Sequence, residues 1–387
     1  MTRRFSDDNA LPKGWQTRRP GSLIYAFAFL LRVIPITIFY SLYYIPASFR
    51  QLKTWTYRQA LLTRLIKEFC GLVTATGSTT PLSLEAENLG TQWVIMSPAP
   101  DSSYRGPLAS DTAKPERIGA TWYPHPSSEN TAVDEKGLVV LSFHSGSFLW
   151  MTGRPEDSGA IAKKINAKFG PGTRSLWVQY RLAGGRTPTI YPGPMQDAIT
   201  AYHYLVKEQN ISPTQIIITG DSSGATIAVA LLRYLASEDI RETEFAGLPA
   251  PKACLIFSPS VDYSFEGDGQ EFQSHRNQKT DYCTGAMAAW GARAVAPPNV
   301  VPLDDPYLSP ALHPFATSVP IFVQAGGAEV LCDVAKSFVT SMSSIDGNKI
   351  EWLKSPDLPH DIYAIGPLLG WPKEQEEIMD TAVKSVL

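Results

Sequence analysis

The five residues Gly220-Asp221-Ser222-Ser223-Gly224 place a serine where acyl chemistry could use it. An apolar run at 215–219 precedes them, and a second one at 225–232 follows. The pattern predicts a strand, a tight turn and a helix, with G-x-S-x-G at the turn. The glycines permit close approach of strand and helix, and the helix N-terminus directs N–H groups towards developing negative charge. We therefore predict that Ser222 is a nucleophile, the alternative being a serine-rich loop without chemistry.

Acyl transfer also requires an oxyanion hole, a base and an acid that orients the base. An apolar run at 138–143 predicts a strand, and His144-Ser145-Gly146-Ser147-Phe148 follow it directly. A carboxylate follows another predicted strand in Gly326-Gly327-Ala328-Glu329. A histidine follows the last predicted strand in Leu358-Pro359-His360-Asp361. The chain thus has each required residue type at the end of a predicted strand.

Alternating strands and helices must position these segments. Strands are predicted at 93–96, 119–123, 138–143, 176–180, 215–219, 253–257, 321–324 and 350–353. Helices are predicted at 54–73, 158–169, 194–208, 223–236, 329–344 and 373–386. The alternation predicts an α/β fold in which helices cover an eight-stranded, mostly parallel sheet. Residues 263–303, with a helix-like piece at 284–294, interrupt it and are predicted to be a helical cap insertion.

The ordered motifs resemble those of the hormone-sensitive-lipase-like carboxylesterases, an α/β-hydrolase family with a His-Gly-Gly-Gly oxyanion loop. Residues 144–147 resemble that loop, and Tyr180-Arg181-Leu182-Ala183 matches the end of the family's next strand. Further matches are Gln196-Asp197-Ala198, the segments 305–310 and 326–333, and the histidine loop at 358–361. They follow the family order from about residue 90 to the C-terminus. The N-terminal aromatic region looks most like the fungal branch of the family.

The resemblance implies a role for each matched residue. Ser222 is the nucleophile, His360 is the general base and later the acid, and Glu329 orients His360. The implied oxyanion donors are backbone N–H groups, those of Gly146, Ser147 and Ser223.

Four other polar residues lie near these motifs in the sequence. Asp333 is the main alternative to Glu329, and it is expected to cap or solvate a helix. Asp357 is expected to be a loop residue. His144 matches a family histidine with a structural role, and Asp221 is also expected to be structural.

The chain departs from the family pattern at the oxyanion loop. Ser145 and Ser147 replace two glycines, and Ala225 replaces the final glycine of the serine turn. A position that requires positive φ would be strained by serine, and the added hydroxyls narrow the acyl side of the pocket. Because no triad residue is lost, these changes predict an unusual substrate or a slow, specialised enzyme.

The N-terminal run 23–47 is strongly apolar and aromatic. Arg32 interrupts it, and Pro35 and Pro46 are predicted to break the helical pattern. We interpret residues 1–75 as an apolar helical cap, formed by a pair of helices, or as a membrane-associating segment, followed by a catalytic domain at 76–387. A transmembrane span is the alternative, since about 20 apolar residues suffice, although Arg32 near its middle would be costly.

Composition excludes several classes of function. The net charge of −3, with mixed signs, argues against a nucleic-acid partner. The four cysteines form no C-x-x-C motif or Cys/His cluster, so neither a metal nor another cofactor is expected. The protein is expected to be cytoplasmic or associated with the endoplasmic reticulum membrane rather than secreted, and a homodimer is possible.

These observations predict a serine hydrolase that cleaves a hydrophobic carboxylic ester or lactone through an acyl-enzyme. The alternative is a secondary-metabolite tailoring enzyme of the same fold that deacylates, lactonises, transfers an acyl group or cyclises a polycyclic metabolite. A ligand-binding, receptor-like protein is the third hypothesis. It ranks last because the serine, the acid and the histidine are all present.

Overall fold

The computed structural model describes residues 14–124, 137–184 and 189–387 of the 387-residue chain. Its strands are β1 Trp93–Met96, β2 Ile118–Tyr123, β3 Val139–Phe143, β4 Arg174–Gln179, β5 Ile216–Asp221, β6 Ala253–Phe257, β7 Ile321–Gly326 and β8 Ile350–Ser355. The strands form one sheet in the order β1-β2-β4-β3-β5-β6-β7-β8. The pairs β1–β2 and β2–β4 are antiparallel, and the other pairs are parallel. The predicted fold class is confirmed.

Helices cover both faces of the sheet. They are α1 Gly21–Tyr43, α2 Tyr57–Thr76, α3 Pro155–Phe169, α4 Gly193–His203, α5 Ser223–Leu235, α6 Tyr263–Gly267, α7 Gly269–Ser274, α8 Gly285–Val295, α9 Cys332–Ser343, α10 Ile362–Leu369 and α11 Pro372–Lys384. Short 3-10 segments lie at Trp15–Thr17, Ala47–Phe49, Glu87–Gln92, Asp101–Ser103, Gly106–Leu108, Pro213–Gln215, Glu238–Glu242 and Arg276–Lys279, and a π-helical turn at Tyr204–Glu208 continues α4.

The central strands are continuous apolar runs because both of their faces are buried. In β5, Ile216 and Ile218 contribute to one hydrophobic cluster, together with side chains of α4, α5 and α9. Ile217, which points the other way, contributes to a second cluster with α3, α10 and α11. The nucleophile turn at the end of β5 therefore sits on a strand held from both sides.

The N-terminal helices differ from the prediction in one respect. The break expected at Pro35 is absent, and α1 runs through that residue to end at Tyr43. One proline removes a single N–H donor, and the remaining turns of a 23-residue helix keep their own hydrogen bonds. α2 begins with a reciprocal cap between Thr56 and Gln59 and ends at Gly77, whose φ of 63° is left-handed.

The segment predicted as a cap insertion contains α6, α7, a 3-10 turn and α8. α8 packs against α6, α7 and α2, and α2 also packs against α10. α2 is therefore in contact with both the insertion and the catalytic body. The division into a 1–75 segment and a 76–387 domain stays a prediction.

Candidate active site

Ser222 occupies a strained turn between β5 and α5. Its φ of 50° and ψ of −120° lie outside the regions that serine normally adopts. Three backbone hydrogen bonds hold it. Its N–H donates to the carbonyl of Phe257 at 3.0 Å, and its carbonyl accepts from the N–H groups of Ala225 at 3.1 Å and Ser260 at 3.2 Å. A Cβ on Gly220 would lie 2.3 Å from the Gly224 carbonyl oxygen. The turn therefore requires glycine there, as the sequence predicts.

The three residues of the implied triad lie together in the structure. The Oγ of Ser222 is 3.0 Å from Nε2 of His360, which follows β8. The Nδ1 of His360 is 3.6 Å from Oε2 of Glu329, in the turn between β7 and α9. α9 begins at Cys332, later than predicted, so Glu329 belongs to a turn that faces His360 rather than to a helix. All three side chains are buried, and Ser222 is 6% exposed.

Burial and charge govern the protonation of this group. Burial raises the pKa of Glu329, although the neighbouring His360 and Ser258 partly oppose the rise. Burial alone would lower the pKa of His360, but the interaction with Glu329 outweighs it and raises that pKa to about 9. The site therefore stabilises an imidazolium, the species that forms when the histidine takes the proton of the serine.

The oxyanion loop lies directly against the start of α5. A Cβ on Gly224 would be 2.1 Å from the carbonyl oxygen of Phe143 and 2.5 Å from that of His144. Gly146 has a φ of 113°, and Ser147 has a φ of 55°. Ser147 thus adopts the left-handed conformation for which serine carries a strain that glycine would not.

The three predicted oxyanion donors have no competing protein acceptor. Within the described part of the chain, the backbone N–H groups of Gly146, Ser147 and Ser223 donate to no protein atom. Ser223 is buried and Gly146 and Ser147 are partly exposed, so these N–H groups remain available to another acceptor. Their assignment to an oxyanion stays a prediction, and the structure places their two segments in contact.

Two of the other polar residues hold the loops in place. His144 stacks on Tyr180 with ring centroids 4.2 Å apart, and the Tyr180 hydroxyl donates to the His144 carbonyl at 2.8 Å. Burial lowers the pKa of His144 to about 4, which keeps it neutral. Asp357 accepts from Thr54 Oγ1 at 2.9 Å.

Asp333, the alternative acid, lies away from the triad. Its side chain is 51% exposed and forms an ion pair with Arg276, with a hydrogen bond of 2.6 Å between Nη2 and Oδ1. The hydrogen bond to Arg276 lowers the pKa of Asp333. Asp333 therefore serves a surface ion pair in the first turn of α9.

Ser258 supports the acid and was missed by the sequence analysis. Its hydroxyl donates to Glu329 Oε2 at 2.6 Å and accepts from the backbone N–H of Asp361 at 2.9 Å. One side chain thus joins the acid turn to the histidine loop. Ser258 follows β6 at the carboxyl edge of the sheet, where sites in α/β folds collect, and that position was the available signal.

A pair of buried carboxyl groups beneath the triad was also missed. Burial raises the pKa of Asp221 to about 6, and the hydrogen bond with Asp361 partly opposes that rise. Burial, followed by the charge of Asp221, raises the pKa of Asp361 well above its usual range. Asp221 is the last residue of β5, and Asp361 follows the histidine, 140 positions later in the chain. Such a pairing across distant segments leaves no local pattern.

The acid turn is also held from the side of α2. Asn277 Nδ2 donates to the carbonyl of Glu329 at 2.8 Å, and Asp281 Oδ2 accepts from the N–H of Val330 at 2.7 Å. Lys67 of α2 donates in turn to the carbonyl of Asp281 at 3.0 Å. Helix α2 therefore reaches the backbone around the catalytic acid through one short loop.

No metal centre competes with this interpretation among the described residues. They contain no group of three or more His, Cys, Asp or Glu side chains placed to hold a metal ion. The four cysteines, Cys70, Cys254, Cys283 and Cys332, are free.

The chain is similar in sequence to known proteins. A family described as alpha/beta hydrolase fold matches residues 140–364. An acetyl-hydrolase of Streptomyces hygroscopicus is 27% identical over 236 residues, which are 61% of this chain and 71% of that protein. The carboxylesterase/phospholipase LipF of Mycobacterium tuberculosis is 30% identical over 203 residues, 52% of this chain and 49% of that protein. The chain therefore spans about half the length of LipF.

A solved structure supports the fold. The crystal structure of an esterase from the bacterial hormone-sensitive lipase family aligns with a TM-score of 0.59 at 21% identity. The alignment covers 86% of this chain and 100% of that one. At this identity the likeness concerns the fold alone.

Proposed function

The chain belongs to the alpha/beta hydrolase fold family, and from that premise we propose that it cleaves a hydrophobic carboxylic ester or lactone through an acyl-enzyme on Ser222. The observation that carries the proposal is the 3.0 Å contact between Ser222 Oγ and His360 Nε2, with Glu329 behind the imidazole. The coarser prediction of a carboxylic ester hydrolase is confirmed by relatives named acetyl-hydrolase and carboxylesterase.

The proposed reaction proceeds in two halves. His360 removes the hydroxyl proton of Ser222 as Oγ attacks the ester carbonyl, and Glu329 stabilises the resulting imidazolium. The carbonyl oxygen takes up negative charge against the N–H groups of Gly146, Ser147 and Ser223. The imidazolium then protonates the leaving alcohol, and the acyl group remains on Ser222. Water, activated by neutral His360, attacks the acyl-enzyme and releases the acid.

The preference for a hydrophobic substrate rests on the aromatic side chains near the triad. The ring of Tyr282 lies edge-on to His360 with centroids 5.8 Å apart. Phe148, in the oxyanion loop, packs against Tyr180 and Tyr263, both fully buried. Because these buried rings give the catalytic turn an apolar surrounding, we expect the acyl site to favour apolar groups of a substrate.

A second candidate function, metabolite tailoring, is favoured by one observation. Ser147 keeps a left-handed conformation that costs about 1–3 kcal/mol in a non-glycine residue. Ser147 also lies close to Gly291 of α8. A Cβ added to Gly291 would lie 2.9 Å from the Cβ of Ser147 and 2.7 Å from its carbonyl oxygen, so there is no space for a side chain there. A tight, dry acyl site would favour an alcohol or an internal nucleophile over water. The fungal branch and a secondary-metabolite pathway stay predictions, and the relatives named above are bacterial.

The test compares the full chain with Ser222→Ala on p-nitrophenyl esters of increasing acyl length. We expect kcat to fall by about 10⁴- to 10⁶-fold, because the nucleophile is lost. A fluorophosphonate should label the unmodified protein and not the variant. Ser343→Ala, at an exposed position near the end of α9, is the matched control and should keep both activities.

The same experiment separates the candidate functions. Mass spectrometry of products formed with an added alcohol distinguishes hydrolysis from acyl transfer. Fast hydrolysis of many simple esters would argue against tailoring. Equal turnover by Ser222→Ala and the unmodified chain would overturn the acyl-enzyme.

A further inference from the structure

The outer face of α1 is apolar, the reverse of what water favours for a surface helix. Its exposed large side chains include Leu23, Phe27, Leu31, Ile34, Ile38 and Phe39, each more than half exposed. The less exposed residues of the helix, which include Phe29, Val33, Ile36 and Tyr40, are also mostly apolar. The most apolar 18-residue window of the helix has a mean hydropathy of 2.0, and only 6% of that window is buried. A continuous patch of this kind marks an interaction site.

The sequence on either side of α1 is positively charged, which favours a partner with negative charge. Between residues 9 and 67 the sequence contains no Asp or Glu. The same stretch contains nine cationic residues, Lys13, Arg18, Arg19, Arg32, Arg50, Lys53, Arg58, Arg64 and Lys67. The whole chain, in contrast, has a net charge of −3. An apolar helix flanked by cations is complementary to acyl chains bordered by anionic headgroups.

Contacts with α2 fix the orientation of α1. Arg32 Nη2 lies 3.0 Å from Glu68 Oε2, and the Arg64 guanidinium lies 4.6 Å from the ring centroid of Tyr40. Moving along α1 from Arg32 to Tyr40 thus moves backwards along α2 from Glu68 to Arg64, so the two helices are antiparallel. The exposed face of α1 therefore runs alongside α2.

This arrangement is incompatible with α1 spanning a bilayer while it stays docked. Arg32 lies at the middle of the helix, and its partner Glu68 belongs to α2, which packs against α8 and α10. A span would carry the ion pair, and with it the catalytic body, to the centre of the hydrocarbon, where charged groups are costly. An orientation in the plane of the membrane leaves Arg32, whose side chain is 60% exposed, paired with Glu68, which compensates its charge.

We infer that α1 lies in the plane of an anionic lipid bilayer, embedded in one leaflet, with its outer face against the acyl chains. This surface extends beyond the proposed esterase activity and does not depend on it. It brings the catalytic body to the membrane by way of α2.

The inference is tested with the full chain carrying Ser222→Ala, so that no turnover occurs. Binding is measured by flotation with vesicles of phosphatidylcholine and phosphatidylserine mixed about 3:1, and with phosphatidylcholine alone. We expect binding to the mixed vesicles that weakens with salt. Phe27→Glu combined with Ile34→Glu should weaken it by about tenfold or more. The matched control, Val300→Glu with Leu312→Glu, changes two exposed apolar residues elsewhere and should leave binding intact.

Depth measurements separate an in-plane helix from a span. An environment-sensitive fluorophore is attached to Leu23→Cys, Ile34→Cys or Leu42→Cys in a Cys70→Ser background, and lipids brominated at different depths quench it. The in-plane orientation predicts the same shallow depth at all three positions. A deep Ile34 between shallow ends would overturn it in favour of a span.

Two further outcomes would also overturn the inference. The first is absence of vesicle binding by the folded protein. The second is a dimer in solution that Phe27→Glu with Ile34→Glu dissociates, without any vesicle binding, which would assign the face to a second copy of the chain.

Discussion

The helices α5 and α1 are both apolar, yet the protein buries one and leaves the other uncovered. Eleven of the 13 residues of α5 are buried, whereas Gly21 is the one buried residue within the 23 of α1. α5 lies between the sheet and α4, and its first turn carries the reaction site. α1 meets α2 on one side and presents leucine, isoleucine and phenylalanine on the other. Apolar composition alone therefore does not specify whether protein or another medium covers a helix.

The two regions also differ in where they hold strain and charge. Positive φ angles occur at Ser147, Phe148 and Ser222 beside the start of α5, and at no residue of α1. A buried carboxylate serves each region, Glu329 behind the catalytic histidine and Glu68 between α1 and α2. The same residue type thus supports catalysis in one place and helix packing in the other, and substitutions can separate these roles.

The largest difference in kcat is expected between variants of the two buried carboxylates, Glu329 and Glu68. Glu329→Gln should lower kcat by about 10²- to 10⁴-fold, because the imidazolium loses its partner. It should also move the ascending limb of kcat/KM to lower pH. Neutral His360 is the active form, and its pKa of about 9 is held up by Glu329, so removing that charge makes the base available earlier as pH rises.

The matched variant for this test is Glu68→Gln. It should leave kcat within about twofold and the pH profile unchanged, because Glu68 contacts Arg32 and Arg64 rather than the triad. Kinetics on a soluble ester between pH 6 and pH 10 would measure both variants. If the ascending limb of the pH profile of kcat/KM did not shift in Glu329→Gln, Glu329 would not be the cause of the raised pKa of His360.

An intermediate difference is expected when the same residue type is truncated in each helix. Leu231→Ala in α5 should lower the free energy of unfolding by about 2–5 kcal/mol, because it opens a cavity among fully buried side chains. Leu30→Ala in α1, where the side chain is 57% exposed, should change it by about 0.5 kcal/mol or less. Denaturant titration without lipid measures both. Similar losses would mean that α1 is covered by protein in solution.

The smallest effect concerns the strain beside α5. Ser147→Gly should raise the free energy of unfolding by about 1 kcal/mol or less, because glycine adopts the φ of 55° without strain but costs chain entropy. Ser145→Gly is the control, since Ser145 has no positive φ, and it should instead lose up to about 1 kcal/mol. Thermal unfolding of both variants measures this difference. Equal losses in the free energy of unfolding would mean that Ser147 is not the strained residue.

Local patterns predicted most of the elements that form the site. β1 and β6 have the predicted limits, and the triad residues follow β5, β7 and β8 in the predicted order. These predictions worked because apolar runs and strand-end motifs are short-range features. The helix that begins at Cys332 was placed three residues too early, because the turn holding Glu329 depends on its contacts with Ser258 and Asn277.

The remaining features arise from contacts between distant segments. The hydrogen bonds of Ser258 join it to residues 71 and 103 positions away, and Asp221 and Asp361 lie 140 positions apart. The continuity of α1 through Pro35 depends on a helix long enough to tolerate a missing bond. The uncovered face of α1 could not be inferred from its composition, since α5 has a similar composition and the opposite surroundings.

Two neighbouring residues of α2 contact different parts of the protein. Glu68 forms an ion pair with Arg32 of α1. Lys67, about 100° away around the helix, donates to the carbonyl of Asp281, whose side chain accepts from the backbone N–H of Val330 in the acid turn. A tilt of α2 displaces both contacts at once, since a helix moves as a stiff rod. Adjacent residues of α2 thus join the contact with α1 to the loop that is hydrogen-bonded to the acid turn.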